Sequence, residues 1–237
     1  MFDEDRTVVG EPDLVPIAAL FADSARIEML KALLDDRALP ASELARTAGI
    51  SRSTASTHLD RMVRAGVATV RRQGRHAYYR LASSAAPDVL EALAVLAPTR
   101  PPSSLRSRRK AEALGRARTC YDHLAGQVGV AVADSLQRRG LLRLVSDRFE
   151  VDVHRWDAAA PLGVRCREVR RSRRPLVRSC LDWSERRYHL GGALGVAVTR
   201  RMLELDWFRR SPGEPRVVTI TPAGSDGLRD VFGIDGV

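Results

Sequence analysis

Between Gly49 and Gly66 the sequence sets short hydroxyl side chains among arginines, at Ser51, Arg52, Ser53, Ser56, Thr57, His58 and Arg61. Hydroxyls and guanidinium forks hydrogen-bond base edges and phosphate oxygens, so the chemistry on offer is nucleic-acid recognition rather than bond breaking. A second cationic group follows at Arg71, Arg72, Arg75 and His76, beside Tyr78 and Tyr79. Further along, soft and borderline metal ligands occur at Cys120, His123, Cys166, Cys180 and His189, and a thiolate-imidazole zinc or copper site needs about four of them converging. No Gly-rich phosphate loop, His-Glu-x-x-His motif or Gly-x-Ser-x-Gly elbow occurs, and the carboxylates are too scattered to nominate an acid/base pair. The sequence therefore predicts no enzyme, no catalytic residue, no metal site and no cofactor.

The hydroxyl-arginine cluster needs a helix to hold it. Ser24 to Leu34 carries Ile27, Leu30, Leu33 and Leu34 at the spacing of one amphipathic face. A second helix is predicted from Ala41 to Ala48, with Leu44 and Ala45 inward, closing at Gly49-Ile50. Ser51 then supplies an N-cap oxygen for a third helix, Arg52 to Ala65, which Gly66 ends. On it Ala55, Leu59, Met62 and Val63 share the apolar face and direct Arg52, Ser53, Ser56, Thr57, Asp60, Arg61 and Arg64 outward. A helix entering the major groove needs small polar side chains in its first turns and cations for the flanking phosphates. Val67 to Arg72 and His76 to Leu81, joined through Gln73-Gly74-Arg75, read as a β-hairpin with a basic tip. Placed after a recognition helix, such a hairpin is the wing of a winged helix and reaches the backbone or minor groove.

Four motifs together, Leu20 to Leu30, Glu43-Leu44-Ala45, Ser53 to Leu59 and the Arg-Arg-Gln-Gly-Arg…Tyr-Tyr-Arg-Leu wing, resemble the bacterial ArsR/SmtB repressors in order and spacing over residues 13–97. The resemblance implies a winged helix-turn-helix that dimerises through its first and last helices and reads a palindromic operator. It implies base contact for Ser53, Ser56 and Thr57, phosphate contact for Arg52 and Arg61, and wing contact for Arg71, Arg72, Arg75 and Tyr78. For His58 two readings stand, a phosphate donor and a buried packing residue. Metal-sensing members carry cysteines before the recognition helix or Asp/His pairs after the wing. Here Leu39 to Leu44 has no such cysteine, and Pro87 to Leu93 has neither Cys nor His.

Pro98, Pro101 and Pro102 mark a break, taken as a linker over 98–105. Beyond it His123 to Val132 lines up with His189 to Val198 at an offset of 66, each copy preceded by Cys-x-Asp and followed by a basic stretch and a β-prone run. Each unit reads as helix, hairpin, helix, with Thr221-Pro222 starting the last helix. On a helical reading Cys120 and His123 share a face at i, i+3. Cys180 and His189, nine apart, turn through about 900° at about 100° per residue and end on opposite faces, so the two copies do not present the same pair. The rival to a metal site is small apolar thiols in the core. Gly126, Gly129, Gly192 and Gly195 allow close helix crossing or the approach of an organic ligand. Trp156, Trp183, Trp207, Tyr121 and Tyr188 suit either a pocket or a core. The arginines from Arg165 to Arg178 suit either an anion or a solvated face.

Composition agrees with these readings. The chain has 237 residues, 44% of them hydrophobic and 29% charged, enough for a real core, and its formal charge of +10 comes almost wholly from arginine, Lys31 and Lys110 being the only lysines. A nucleic-acid partner and a GC-rich genome both account for that arginine bias. Three scattered cysteines make no disulfide framework, Met1 to Asp5 lacks an apolar signal core, and no stretch approaches ~18 apolar residues, which predicts a cytoplasmic protein. The expected fold is α+β, mainly α: a winged helix-turn-helix over 1–97 for DNA binding and dimerisation, the 98–105 linker, and a C-terminal domain of two pseudo-symmetric helix-hairpin-helix repeats over 106–237. The expected function is that of a DNA-binding, ligand-responsive dimeric repressor, with double-stranded DNA and a second copy as partners and a small-molecule effector. Effector candidates are Cys120, His123, Cys180, His189 and Trp183. The alternatives are a metal- or thiol-responsive repressor using the Cys and His of the second domain, and an adaptor whose winged helix contacts protein instead of DNA.

Overall fold

The computed structural model describes residues 10–34, 37–74, 76–99, 101–170, 174–211 and 213–236. Arg75 of the wing, Arg171 and Arg173 of the arginine run, and the Met1 to Asp5 start therefore lie outside the described residues. The contacts divide the chain into two compact units, one of Met1–Leu33 with Ala38–Ser83 and one of Leu34–Arg37 with Ser84–Val237.

In the first unit α1 (Val15–Phe21) and α2 (Ser24–Ala32) precede β1 (Leu39–Pro40), α3 (Ala41–Ala48), α4 (Arg52–Arg64), β2 (Ala68–Gln73) and β3 (His76–Leu81). Asp23 caps α2 by accepting from the Arg26 N–H. Gly49 ends α3 at φ +66°, and Ile50 N–H returns to Ala45 O, which turns the chain within three residues into Ser51, the cap of α4. Leu30, Leu44, Ala45, Ala55, Leu59 and Met62 are buried on the inward faces of α2, α3 and α4, as their spacing predicts, whereas Ile27 and Val63 of the expected faces are half-buried and Met29, outside them, is buried. The hairpin pairs Ala68 with Leu81 through Gln73 with His76, and β1 adds to its β3 edge, giving the order β1-β3-β2. This is a winged helix-turn-helix.

The second unit opens with α5 (Ala85–Leu96) and α6 (Leu105–Arg116). Asp88 of α5 pairs with Arg178, and Glu91 with Arg216 at 2.6 Å, so α5 belongs with this unit although the linker expected at 98–105 lies beyond it. Prolines break helices whether or not they separate domains. There follow β4 (Arg118–Cys120), β5 (His123–Ala125), α7 (Gly126–Arg138), β6 (Leu142–Val145), β7 (Arg148–Val151), α8 (Val153–Ala159) and α9 (Cys166–Val169). The remainder is β8 (Arg178–Leu181), β9 (Tyr188–Gly191), α10 (Gly192–Glu204), β10 (Phe208–Ser211), β11 (Glu214–Ile220) and α11 (Pro222–Phe232). The order hairpin, helix, hairpin, helix thus occurs twice.

The segments expected to be helical around Cys120 and Cys180 are instead strands. A turn at Tyr121-Asp122 closes the first hairpin, with Tyr121 at φ +61°. The elements also interlock: β11 pairs with β4 in the sheet β10-β11-β4-β5, α7 packs on β9, and α10 on β5. One core runs through the unit, from Val128, Leu136 and Trp156 to Leu194, Met202, Trp207 and Phe232. Among the described residues no helix is long and apolar enough to cross a membrane.

Candidate nucleic-acid interface and the Cys/His cluster

The front of α4 is built from its cap. Ser51 Oγ accepts from Thr54 N–H at 3.1 Å and lies 2.9 Å from Ser53 Oγ and 2.8 Å from Thr54 Oγ1, while the Thr57 hydroxyl donates to Ser53 O at 3.3 Å. The hydroxyls are therefore ordered by the helix that carries them. Ser51, Arg52, Ser53, Ser56, Thr57, Asp60, Arg61 and Arg64 are all exposed, and Ala55, Leu59 and Met62 are buried behind them. In the wing Arg71 and Arg72 are exposed, and Tyr78 lies half-buried opposite Arg71. The first turns of α4 thus offer hydroxyls free of bulk, flanked by guanidinium groups, as a major-groove helix requires.

His58 is half-buried, and the structure gives it a partner that sequence reasoning missed. Arg26, itself buried, donates to Leu20 O, Ala19 O and His58 Nδ1 at 2.9, 2.7 and 3.0 Å. A guanidinium has no acceptor, so His58 Nδ1 must accept, and the ring braces α4 against α2 and the end of α1. Of its two readings the packing role is the one with contacts. The apolar spacing of Ser24–Leu34 does not single out Arg26 for this role; its place three residues after Asp23 is the local signal.

The effector candidates converge. In the two hairpins Cys120 faces His123 and Cys180 faces His189 across the strands, so both hairpins present the same pair, contrary to the helical expectation. Of the six extra residues between Cys180 and His189, two form the added Leu181–Tyr188 strand pair and four lengthen the turn, so the Cys–His pairing is unchanged. One ligand atom from each of the four side chains lies within 4.8 Å of the others, the two Sγ atoms are 3.6 Å apart, and the imidazoles stack at 5.1 Å between centroids. Gly129 and Gly195 keep this seam closed: a Cβ there would fall 2.6 Å from Leu124 O and 2.2 Å from Leu190 O, and close to the His189 and His123 side chains. Their bareness serves helix-to-strand contact rather than the helix crossing expected.

Charged residues surround the four. Asp122 Oδ1 lies 3.5 Å from His123 Nδ1, and Asp182 Oδ2 lies 3.4 Å from His189 Nδ1. Arg174 pairs with Asp122, and fully buried Arg118 donates to Asp182 at 2.9 Å while stacking 4.3 Å over the Trp183 ring. Asp182 also accepts from Gly126 N–H at 2.7 Å and from the Ser184 hydroxyl. Burial favours a neutral Asp182, but Arg118 foremost, with Ser184 and Gly126, holds its carboxyl well below the usual range. Burial likewise discourages charge on His123, yet Asp122 and Cys180 outweigh it and its pKa stands at about 9. Contact with Cys180, then burial, pushes the Cys120 thiol up; the same contact, aided by His123 and His189 against burial, holds Cys180 well below the thiol range. The repeated Cys-x-Asp motif was the signal for the two carboxylates.

Other candidates fall elsewhere. Cys166 is buried in the core away from the cluster, with burial first and Asp157 next raising its thiol to about 11. Trp156 and Trp207 are core, the former donating to Val164 O at 2.9 Å, and Trp183 supports Arg118 instead of lining a pocket. Of the arginine run, Arg165, Arg174 and Arg178 are engaged with Asp157 O, Asp122 and Asp88. A cleft of about 760 Å³ lies beside α10, lined in part by Asp122, Arg174, Thr199, Arg200 and Arg210.

Comparison with known proteins bears on both units. Residues 21–71 match the family model described as a helix-turn-helix domain. The chain is 44% identical over 213 residues to an uncharacterized HTH-type transcriptional regulator, YdfF, of Bacillus subtilis (strain 168), covering 90% of this chain and 94% of that one. Among solved structures it is similar to NolR from Sinorhizobium fredii, at 25% identity over 34% of this chain and 80% of that one with a TM-score of 0.32. Reduced HlyU from Vibrio cholerae is 28% identical over 36% and 88% of the two chains, again with a TM-score of 0.32.

Proposed function

The chain belongs to the HTH-type transcriptional regulators, and from that membership we propose that it is an ArsR-like, dimeric, effector-responsive repressor reading a palindromic operator. The reading is carried by the exposed hydroxyl-arginine face of α4. Ser53, Ser56 and Thr57 meet base edges, Arg52 and Arg61 meet the flanking phosphates, and Arg71 and Arg72 extend the footprint through the wing. Exposed Leu14 and Val15 at the start of α1, and Leu93 and Leu96 on α5, supply apolar surface for the second copy. The C-terminal unit, taken as two copies of one hairpin-helix-hairpin-helix motif, is the effector-sensing part. An effector acts there only as far as it prefers one dimer geometry over the other.

Operator fragments are first selected from random DNA by the purified full chain, then titrated by fluorescence anisotropy against scrambled DNA at several salt concentrations. Tight, salt-dependent binding to the selected sequence over the scrambled one is expected, and equal affinity for both removes the repressor reading. Arg52→Ala and Arg61→Ala weaken binding to both DNAs and flatten the salt slope by about one for each copy of the dimer, about two per substitution. Ser56→Ala relaxes the base preference by about 1–3 kcal/mol at one position.

A further inference from the structure

We propose that Cys120, His123, Cys180 and His189 bind a single zinc(II) ion, which clips the β4-β5 hairpin to the β8-β9 hairpin. Each hairpin contributes one thiol and one imidazole from facing positions, so the ligands arrive as two equivalent pairs. Their donor atoms all lie within 4.8 Å of one another. A tetrahedral zinc ion with Zn–S bonds of about 2.3 Å sets its sulfurs about 3.8 Å apart, and the two Sγ atoms here stand 3.6 Å apart.

The histidines supply an independent observation. His189 is fully buried and His123 nearly so, yet among the described residues the Nε2 atoms of both rings are buried with no hydrogen-bond partner. Buried polar atoms are rarely left so, and two stacked imidazoles facing two sulfurs gain a partner together from one cation. A Cys120–Cys180 disulfide would use the sulfurs and leave these nitrogens as they are. Around the ligands, Asp122 and Asp182 face the Nδ1 atoms, the arrangement in which a carboxylate orients an imidazole and leaves Nε2 to the metal. Two sulfurs select against magnesium and calcium, and a set of four protein ligands closes the tetrahedron, so the site holds structure and does not open to a substrate. On binding, whatever protons the two sulfurs and two imidazoles carry pass to solvent, so that the sulfurs ligate as thiolates and the rings as neutral imidazoles.

This assignment stands apart from the DNA-binding reading and is tested without DNA. The full chain, purified under reducing conditions, is assayed for metal by atomic emission and reloaded with cobalt(II) as a spectroscopic probe. One zinc per chain is expected, together with the visible bands of tetrahedral cobalt and a thiolate charge-transfer band. Cys180→Ser and Cys120→Ser each abolish that charge-transfer signature or reduce it by half while far-ultraviolet circular dichroism stays unchanged. Should either variant fail to fold, zinc-edge X-ray absorption of the unaltered chain decides, with two sulfur neighbours at about 2.3 Å and two nitrogens at about 2.0 Å expected. Zinc well below one per chain, a zinc shell of oxygens, or a chain that yields only a Cys120–Cys180 disulfide under reducing conditions overturns the proposal. Arg52→Ala, which removes a phosphate contact, keeps its zinc, so loss of DNA binding and loss of metal are read separately.

Discussion

Arg118 and Asp182 are both fully buried, which makes their pair costly to break and of modest worth to make. Asp182 is also the acceptor for Gly126 N–H and for Ser184, so one carboxylate fixes the start of α7, the loop after β8 and the guanidinium stacked on Trp183. Asp182→Ala strands the Arg118 charge and should cost about 3–5 kcal/mol in urea unfolding. The exposed pair Arg143–Glu150 is the comparison: its side chains face water and its strands are held by backbone pairing. Glu150→Ala should therefore shift stability by no more than about 1 kcal/mol. Equal losses for the two substitutions would mean that Asp182 is not the hub its contacts describe.

Caps and close approaches decide whether the elements hold. Ser51→Ala removes the oxygen that accepts from Thr54 N–H and should cost about 0.5–2 kcal/mol, read as a lower midpoint in denaturant with an unchanged slope. Two glycines bear on the C-terminal helices in opposite senses. A Cβ at Gly195 would fall 2.2 Å from the Leu190 carbonyl, whereas one at Gly115, within α6, meets nothing within 4 Å. Gly195→Ala should accordingly destabilise by about 1–3 kcal/mol, and Gly115→Ala should be neutral or stabilise by up to about 1 kcal/mol. The same contrast of local and non-local causes explains what the sequence could disclose. The helix-turn-helix and wing were legible because their signals act within a few residues: Gly49 at a left-handed turn, Ser51 at a cap, and an apolar period along α4. The Cys/His cluster was not, because Cys-x-x-His suits one helical turn and one tight hairpin equally well, and a short run such as Arg118–Ala125 carries no period to choose between them. Read as helix, the six extra residues destroy the equivalence of the two Cys/His pairs; read as a hairpin, they add one strand pair and lengthen the turn. What brings the two pairs together is the packing of α7 on β9 and of α10 on β5, a contact between segments about sixty residues apart that no local pattern encodes.

For the molecule as a whole, the charge of +10 favours approach to DNA, but charge does not fix register on a two-fold site; a pair of recognition helices does. Apolar side chains left in water bear on that pairing. Leu93 and Leu96 of α5 are 41% and 81% exposed, and the opposite side of the helix is committed through Asp88 to Arg178 and through Glu91 to Arg216. With one side anchored, the leucines form a face presented by a fixed helix, and burying such residues against a second copy contributes about 1.5–3 kcal/mol for each side chain fully covered. The chain should therefore sediment as a dimer. Leu93→Glu combined with Leu96→Glu places a carboxylate pair on each copy of that face and should shift the mass to monomer without lowering helix content. The monomer keeps one α4, so its affinity for the selected operator falls toward that for a single half-site, and its salt slope drops to about half because half the phosphate contacts remain. A double variant that stays dimeric and keeps the full slope would assign the pairing to a surface other than α5.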